Sequence, residues 1–186
     1  MAQRVCPVWI GYLLASPIRR MMYDPDAILA PYVREGMTVL DFGCAMGFFS
    51  IPLARMVGAN SKVICVDMQE KMLKGLEKRG RKAGVSSRME IRLCDQNSLG
   101  LQEFAGRIDF ALAFAVVHEV PDHPRLFGEL AALLVPGGRL LVAEPRGHVR
   151  EDDFAHSVTV AEEEGFTVVE RPRIRRSWAV LLRKTR

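Results

Sequence analysis

Residues Val39 to Ser50, VLDFGCAMGFFS, constrain this chain more than any other stretch. A short apolar run ends in an acid, passes through a loop of small residues and opens into a helical pattern. That order builds a strand, a tight turn and a helix start, the place where an α/β sheet receives a nucleotide-like ligand. Gly43 and Gly47 supply backbone angles and close approach that a Cβ would block. Asp41 decides which ligand. A dinucleotide site turns backbone amides toward a pyrophosphate, and a carboxylate at that strand end would repel it. The acid suits a ligand with a cationic group nearby, such as the amino group of a methionine moiety.

Two further acids follow at matching places. Lys62 to Asp67 (KVICVD) is β-branched and apolar and predicts a buried strand ending in Asp67. That acid lies about twenty residues past the loop, where a second-strand carboxylate accepts the hydroxyls of a ribose. Capping of the next helix is the other reading of Asp67. Met89 to Cys94 (MEIRLC) predicts a third strand, followed by Asp95-Gln96. Three acids at three successive strand ends exceed what capping alone explains.

Asp41 to Gly47 resembles motif I of the class I S-adenosylmethionine-dependent methyltransferases, acid-x-Gly-x-Gly-x-Gly, with Ala45 in place of the middle glycine. The resemblance implies S-adenosylmethionine as cofactor, held by Asp41, Gly43, Cys44, Ala45, Gly47, Asp67, Met68, Asp95, Gln96 and Phe114. In that set Asp67 would take the ribose hydroxyls and Asp95 the adenine amino group. The stretch Ile108 to Asp122 is similar to the fourth strand and His-bearing turn of small-molecule methyltransferases, including the menaquinone/ubiquinone C-methyltransferase type. It lacks the Asn/Asp-Pro-Pro-Tyr/Phe sequence of the enzymes that methylate DNA amino groups and protein glutamine.

His118 in that turn is a candidate general base, since an imidazole accepts a proton from an oxygen, nitrogen or activated carbon near neutral pH. A histidine bonded to the loop backbone is the equal alternative. Glu144 ends the fifth predicted strand and is a second catalytic candidate, expected to position substrate or His148. Glu119 is expected to be exposed or to order the loop. At the N-terminus, Val5 to Ala15 has the length of a signal-peptide apolar region, but Pro7 interrupts it, and it is too short to span a bilayer. The segment reads as an apolar lid, with Trp9 and Tyr12 facing substrate or simply packing on the sheet edge.

The remainder alternates as a doubly wound sheet requires. Strands are expected at 38–41, 63–67, 89–94, 108–114, 140–144, 167–170 and 178–182. A short helix is expected after Asp24 as N-cap, then helices at 48–57, 69–83 and 124–134, the last stopping at Pro136-Gly137-Gly138. A final helix carries Phe154, Val158, Ala161 and Gly165 on one stripe. The fold class is α/β, a seven-stranded, mostly parallel, Rossmann-like sheet with an antiparallel last strand. One domain is expected over 1–186, an N-terminal lid and helical segment at 1–35 and a core at 36–186.

Composition bounds the partners. With 186 residues, 49% hydrophobic and 26% charged, the chain can bury one substantial core. The formal net charge of +4 is too mild to point to nucleic acid by itself. The basic run Lys71 to Lys82 places Met68, Met72, Leu76 and Ala83 on one face, so its charges read as a solvated helix side rather than an RNA patch. Cys6, Cys44, Cys65 and Cys94 lack metal or redox spacing and suit a reduced, cytoplasmic setting, Cys65 and Cys94 as core residues. The expected partner is a small-molecule acceptor, in a monomer or homodimer without a membrane span. A catalytically silent cofactor-binding module is the alternative, with an RNA methyltransferase less favoured. A nicotinamide dehydrogenase is disfavoured by Phe48 at the third glycine place of G-x-G-x-x-G and by Asp41.

Overall fold

The computed structural model describes residues 22–185, so Cys6, Trp9, Tyr12 and the lid assigned around them lie outside the described residues. Two compact units divide the rest, the first ending at Cys94 and the second beginning at Asp95.

The first unit runs α1 (Pro25–Leu29), β1 (Val39–Phe42), α2 (Ser50–Met56), β2 (Val63–Asp67), α3 (Glu70–Lys82) and β3 (Met89–Leu93). The Asp24 carboxylate accepts from the N–H groups of Asp26 and Ala27 at 3.0 and 3.3 Å, and Pro25 opens the helix where its missing N–H costs nothing. Every residue of β1 and β2 is buried, as continuous apolar strands covered on both faces must be. β3 is less covered, and Cys94 lies just past its end, half-buried rather than in the core. Helix α3 buries Met72, Leu73, Leu76 and Gly80. Its opposite face carries Glu70–Lys74 and Glu77–Arg81 pairs at 2.8 and 2.6 Å, so most of the basic run is a solvated helix side. Helix α2 begins two residues later than its apolar pattern suggests, because Gly47 at φ 81° keeps the chain in the turn.

The second unit runs β4 (Ile108–Phe114), a 3₁₀ turn (Val117–Glu119), α4 (His123–Leu133), β5 (Leu134–Pro145), α5 (Glu151–Glu163), β6 (Phe166–Glu170) and β7 (Ser177–Lys184). Asp122 caps α4 through the Arg125 N–H at 3.0 Å. Pro136-Gly137-Gly138 does not stop that helix. Leu134 is already extended and pairs with Ile108, and the Pro-Gly-Gly bend lies inside β5, opposite a register shift between Ile108 and Phe110. Gly137 there is left-handed (φ 75°), and a Cβ on Gly138 would meet the Val135 carbonyl oxygen at 2.9 Å. Helix α5 ends at Glu163, and Gly165 at φ 92° turns the chain into β6 instead of extending the helical stripe.

The seven strands form one sheet in the order β3-β2-β1-β4-β5-β7-β6. β1 with β2, β2 with β3 and β4 with β5 are parallel, whereas β7 pairs antiparallel with both β5 and β6. No helix among the described residues is long and apolar enough to cross a membrane.

Candidate active site

In the first unit the loop after β1 is built from left-handed backbone. Gly43, Ala45 and Gly47 have φ of 72°, 45° and 81°. Gly43 and Cys44 both donate to the Val66 carbonyl, at 2.9 and 3.0 Å, which ties the loop to β2. A Cβ on Gly47 would come within 2.2 Å of Leu76 Cδ1, so the loop lies hard against α3. Arg79 is the exception in the solvated basic run. Its guanidinium donates to the Met46 carbonyl at 2.7 Å, and partial burial lowers its pKa.

Asp67 completes this frame. Its carboxylate accepts from the Ala45 N–H at 2.9 Å and the Gln69 N–H at 2.8 Å, and it is 9% exposed. Burial pushes its pKa up, against the lowering by the N–H groups of Gln69, Ala45 and Met68. The acid is therefore not the mainly exposed strand end that its position suggests. It fastens the loop and the entry to α3 together. A carboxylate offers about four acceptor sites, so these donors leave capacity for a ligand hydroxyl, which would share the oxygens with the loop. Met68 follows, half-buried, before α3. Asp41 is 3% exposed and accepts from the Ser50 hydroxyl at the start of α2, so little of it is open to direct ligand contact. Cys44 is buried, and burial first of all raises its thiol pKa, which keeps the sulfur protonated and inert.

In the second unit the strand register does the positioning. Phe114 pairs with Ala143, and the Ala115 N–H donates to the Ala143 carbonyl at 2.7 Å. Ala115 then turns the chain with φ 59°, a left-handed angle at a non-glycine residue. This carries Val116 to His118 over Glu144. Glu144 is 2% exposed, and its Oε1 accepts from the N–H groups of Val116 and Val117 at 3.1 and 2.9 Å. Its Oε2 accepts from His118 Nδ1. A carboxylate can only accept, so it fixes the proton of the neutral ring on Nδ1 and leaves the lone pair on Nε2. The hydrogen bond to Glu144 raises the His118 pKa above 6.5, with burial acting against it.

Glu144 thus holds His118, not His148 as its place before Pro145 suggests. The His148 ring instead stacks on His118, with centroids 6.4 Å apart and planes at 28°. A second histidine braces the turn: His123 Nε2 donates to the Val117 carbonyl at 3.1 Å, and its Nδ1 meets the Ser157 hydroxyl at 3.2 Å. Neither the Glu144–His118 pair nor His123 stood out in the sequence. The available signal was that two successive parallel strands end in an acid and in a His-bearing turn.

The other residues assigned to the cofactor have local roles. Asp95 is exposed and its Oδ1 accepts from the N–H groups of Asn97 and Ser98 at 2.7 and 2.9 Å, an Asx turn. The Gln96 carbonyl accepts from Arg125 at 2.6 Å, and Phe114 is buried at the end of β4.

A family model described as a methyltransferase domain matches residues 33–177. The chain belongs to this family. It is 34% identical over 138 residues to the ubiquinone biosynthesis O-methyltransferase of Caulobacter vibrioides, covering 74% of this chain and 51% of that one. Over 112 residues it is 31% identical to an Escherichia coli ubiquinone/menaquinone biosynthesis C-methyltransferase, covering 60% and 44%. The chain spans about half the length of the curated relatives it matches. Among solved structures, a SAM-dependent methyltransferase from Aquifex aeolicus superposes with a TM-score of 0.87 at 23% identity, over 97% of this chain and 100% of that one. That likeness shows the fold, a Rossmann-like methyltransferase sheet.

Proposed function

We propose that the chain transfers a methyl group from S-adenosylmethionine to a small-molecule acceptor, with His118 as general base and Glu144 as its positioning partner. The observation that carries the reading is the His118–Glu144 pair: a buried carboxylate, braced by two backbone N–H groups, that sets the imidazole tautomer. The loop Gly43 to Gly47 and Asp67 would hold the cofactor, and the acceptor capacity left on Asp67 fits a ribose hydroxyl. S-adenosylmethionine, when bound, supplies an activated methyl on a cationic sulfur. The protein's own contribution is then placement and proton removal.

A base on Nε2 suits an acceptor whose oxygen, nitrogen or activated carbon must lose its proton. The two quinone-pathway relatives divide between O- and C-methylation, so both acceptor types belong in the first panel. The test is transfer of labelled methyl by the purified protein to phenols, amines and activated carbon acids, alongside calorimetric titration with S-adenosylmethionine. Tight cofactor binding with no acceptor methylated would favour a silent binding module. Absence of cofactor binding would sink the reading altogether.

A further inference from the structure

A cavity of about 810 Å³ opens in the second unit between the start of α5, the β6–β7 connection and the first residues of β7. Its lining includes Arg146, Arg171, Arg173, Arg175 and Arg176, against the single acid Glu151. In a chain of net charge +4 this is a strong local excess. Charge of one sign lining a concave, low-dielectric wall focuses the field on an incoming counter-ion. The guanidinium groups of Arg171, Arg173, Arg175 and Arg176 make no ion pair with any described residue, although Glu151 at the start of α5 lines the same cavity.

The walls are held. The Arg146 N–H donates to the Arg176 carbonyl at 3.0 Å, and its Nε to the Ser177 carbonyl at 3.2 Å. The Ser177 N–H closes the connection onto the Ile174 carbonyl at 3.1 Å, and Trp178 Nε1 donates to the Val149 carbonyl at 3.2 Å. Arg176 is kept at φ 56°, a strained angle for a side-chain-bearing residue. Trp178, which lines the cavity, is the cross-strand partner of Glu144, and Ser177 pairs with Pro145. Directly opposed residues on neighbouring strands project from the same face of a sheet. Trp178 of the cavity wall is therefore one strand away from the carboxylate that holds His118, on the same face of the sheet.

We propose that this cavity is the subsite for an anionic group, phosphoryl or carboxylate, carried by the methyl acceptor. The proposal rests on the methyltransferase reading above. Guanidinium forks match the paired oxygens of such groups. The volume lies within the range of small-ligand pockets, roughly 300–1,000 Å³, and Phe154, Ile174 and Trp178 add apolar wall for the rest of the molecule. A single-stranded nucleic acid fits less well. It would use open aromatic rings as stacking platforms, and the Arg146 guanidinium already covers Trp178, 4.1 Å from the ring centroid.

The two tryptophans are Trp9 and Trp178, so in a Trp9→Phe background selectively excited tryptophan fluorescence reports the cavity alone. Inorganic pyrophosphate should change that signal saturably, with a midpoint that rises with salt. The double variant Arg173→Glu/Arg175→Glu should move the midpoint at least about tenfold, since it removes two charge-assisted contacts and adds two repelling charges. In methyl-transfer assays an acceptor bearing a phosphoryl or carboxylate group should show a lower KM than its uncharged analogue. The double variant should erase that difference while kcat holds. A free-anion site unconnected with the acceptor would bind pyrophosphate but leave the two KM values equal, which overturns the proposal. So would an unsaturable fluorescence signal, an unchanged midpoint in the variant, or an RNA oligonucleotide that competes through the same arginines at lower concentration than pyrophosphate. Cofactor affinity, titrated separately on the same proteins, tells failure of this subsite from failure of the methyltransferase reading.

Discussion

Two buried carboxylates, Asp67 in the first unit and Glu144 in the second, are assembled alike and serve different ends. Each lies at the end of a strand, and each accepts at least one backbone N–H from a turn that contains a left-handed alanine or follows one. The difference is in the remaining oxygen. Asp67 gives its two oxygens to the Ala45 and Gln69 N–H groups, so its charge is spent on backbone that cannot titrate. Glu144 places both backbone donors on Oε1 and presents Oε2 to His118, a group that titrates near neutrality. A strand-end acid can thus lock a loop or orient a base, and the residue facing its second oxygen decides which.

The largest effect expected from this contrast is on rate. His118→Ala should lower methyl transfer by roughly 10²–10⁴-fold, the usual contribution of a positioned base, with S-adenosylmethionine affinity nearly unchanged. Glu144→Gln should also slow transfer, and in addition move the acid limb of the pH–rate profile downward, because the partner that raises the His118 pKa is gone. Single-turnover rates with the true acceptor check both. Equal rates for wild type and His118→Ala would leave Glu144 as a second loop brace and dissolve the contrast.

Asp67→Ala comes next. Cofactor affinity should fall by roughly 2–4 kcal/mol, given about 1.5–3 kcal/mol for each charge-assisted hydrogen bond. The protein without ligand should lose stability too, by about 1–3 kcal/mol, because the Ala45 and Gln69 N–H groups lose their acceptor in a largely buried place. Denaturant unfolding and calorimetric titration read the two losses separately. A stability loss with unchanged affinity would make Asp67 a brace alone.

The titrating half should show itself in stability against pH. The folded His118 pKa is raised above 6.5, so its bond to Glu144 contributes fully below that value and the contribution is lost as pH rises through the folded pKa. The Tm difference between wild type and His118→Gln should be larger at pH 5.5 than at pH 8.5. An equivalent comparison with Asp67→Asn should change only on the acid side, up to the raised Asp67 pKa, and be flat above it, because backbone amides do not titrate there. A flat His118 profile would mean that the pair is not charged in the folded protein.

Much of this architecture was legible in residue pattern, and what was not has a common cause. β2 and β4 cover the residues expected of them, since a strand covered on both faces must be largely apolar. The Asp24-Pro25 start of α1 was equally plain, because capping is local chemistry. The Pro136-Gly137-Gly138 bend misled because the same residues that end a helix also bulge a strand, and only the pairing of Leu134 with Ile108 separates the two. The burial of Asp67, the hold of Glu144 on His118 and the reach of Arg79 to Met46 link residues 22, 26 and 33 positions apart. Such partners depend on strand register and helix placement, which no local pattern states.

The smallest prediction returns to the one position where motif I departs from glycine. Ala45 has φ 45°, in the left-handed region where a Cβ costs roughly 1–2 kcal/mol. Its N–H is committed to Asp67, so the angle is imposed by the brace. Ala45→Gly removes that strain, but it also frees the unfolded chain, which offsets roughly 0.4–1 kcal/mol of the gain. The net change should be a stabilisation of about 1 kcal/mol or less, with cofactor affinity retained. If Ala45→Gly instead destabilises the protein while Asp67→Ala scarcely does, the loop's shape comes from Arg79 and the packing on α3. The two carboxylates would then differ in kind and not only in what their second oxygen holds.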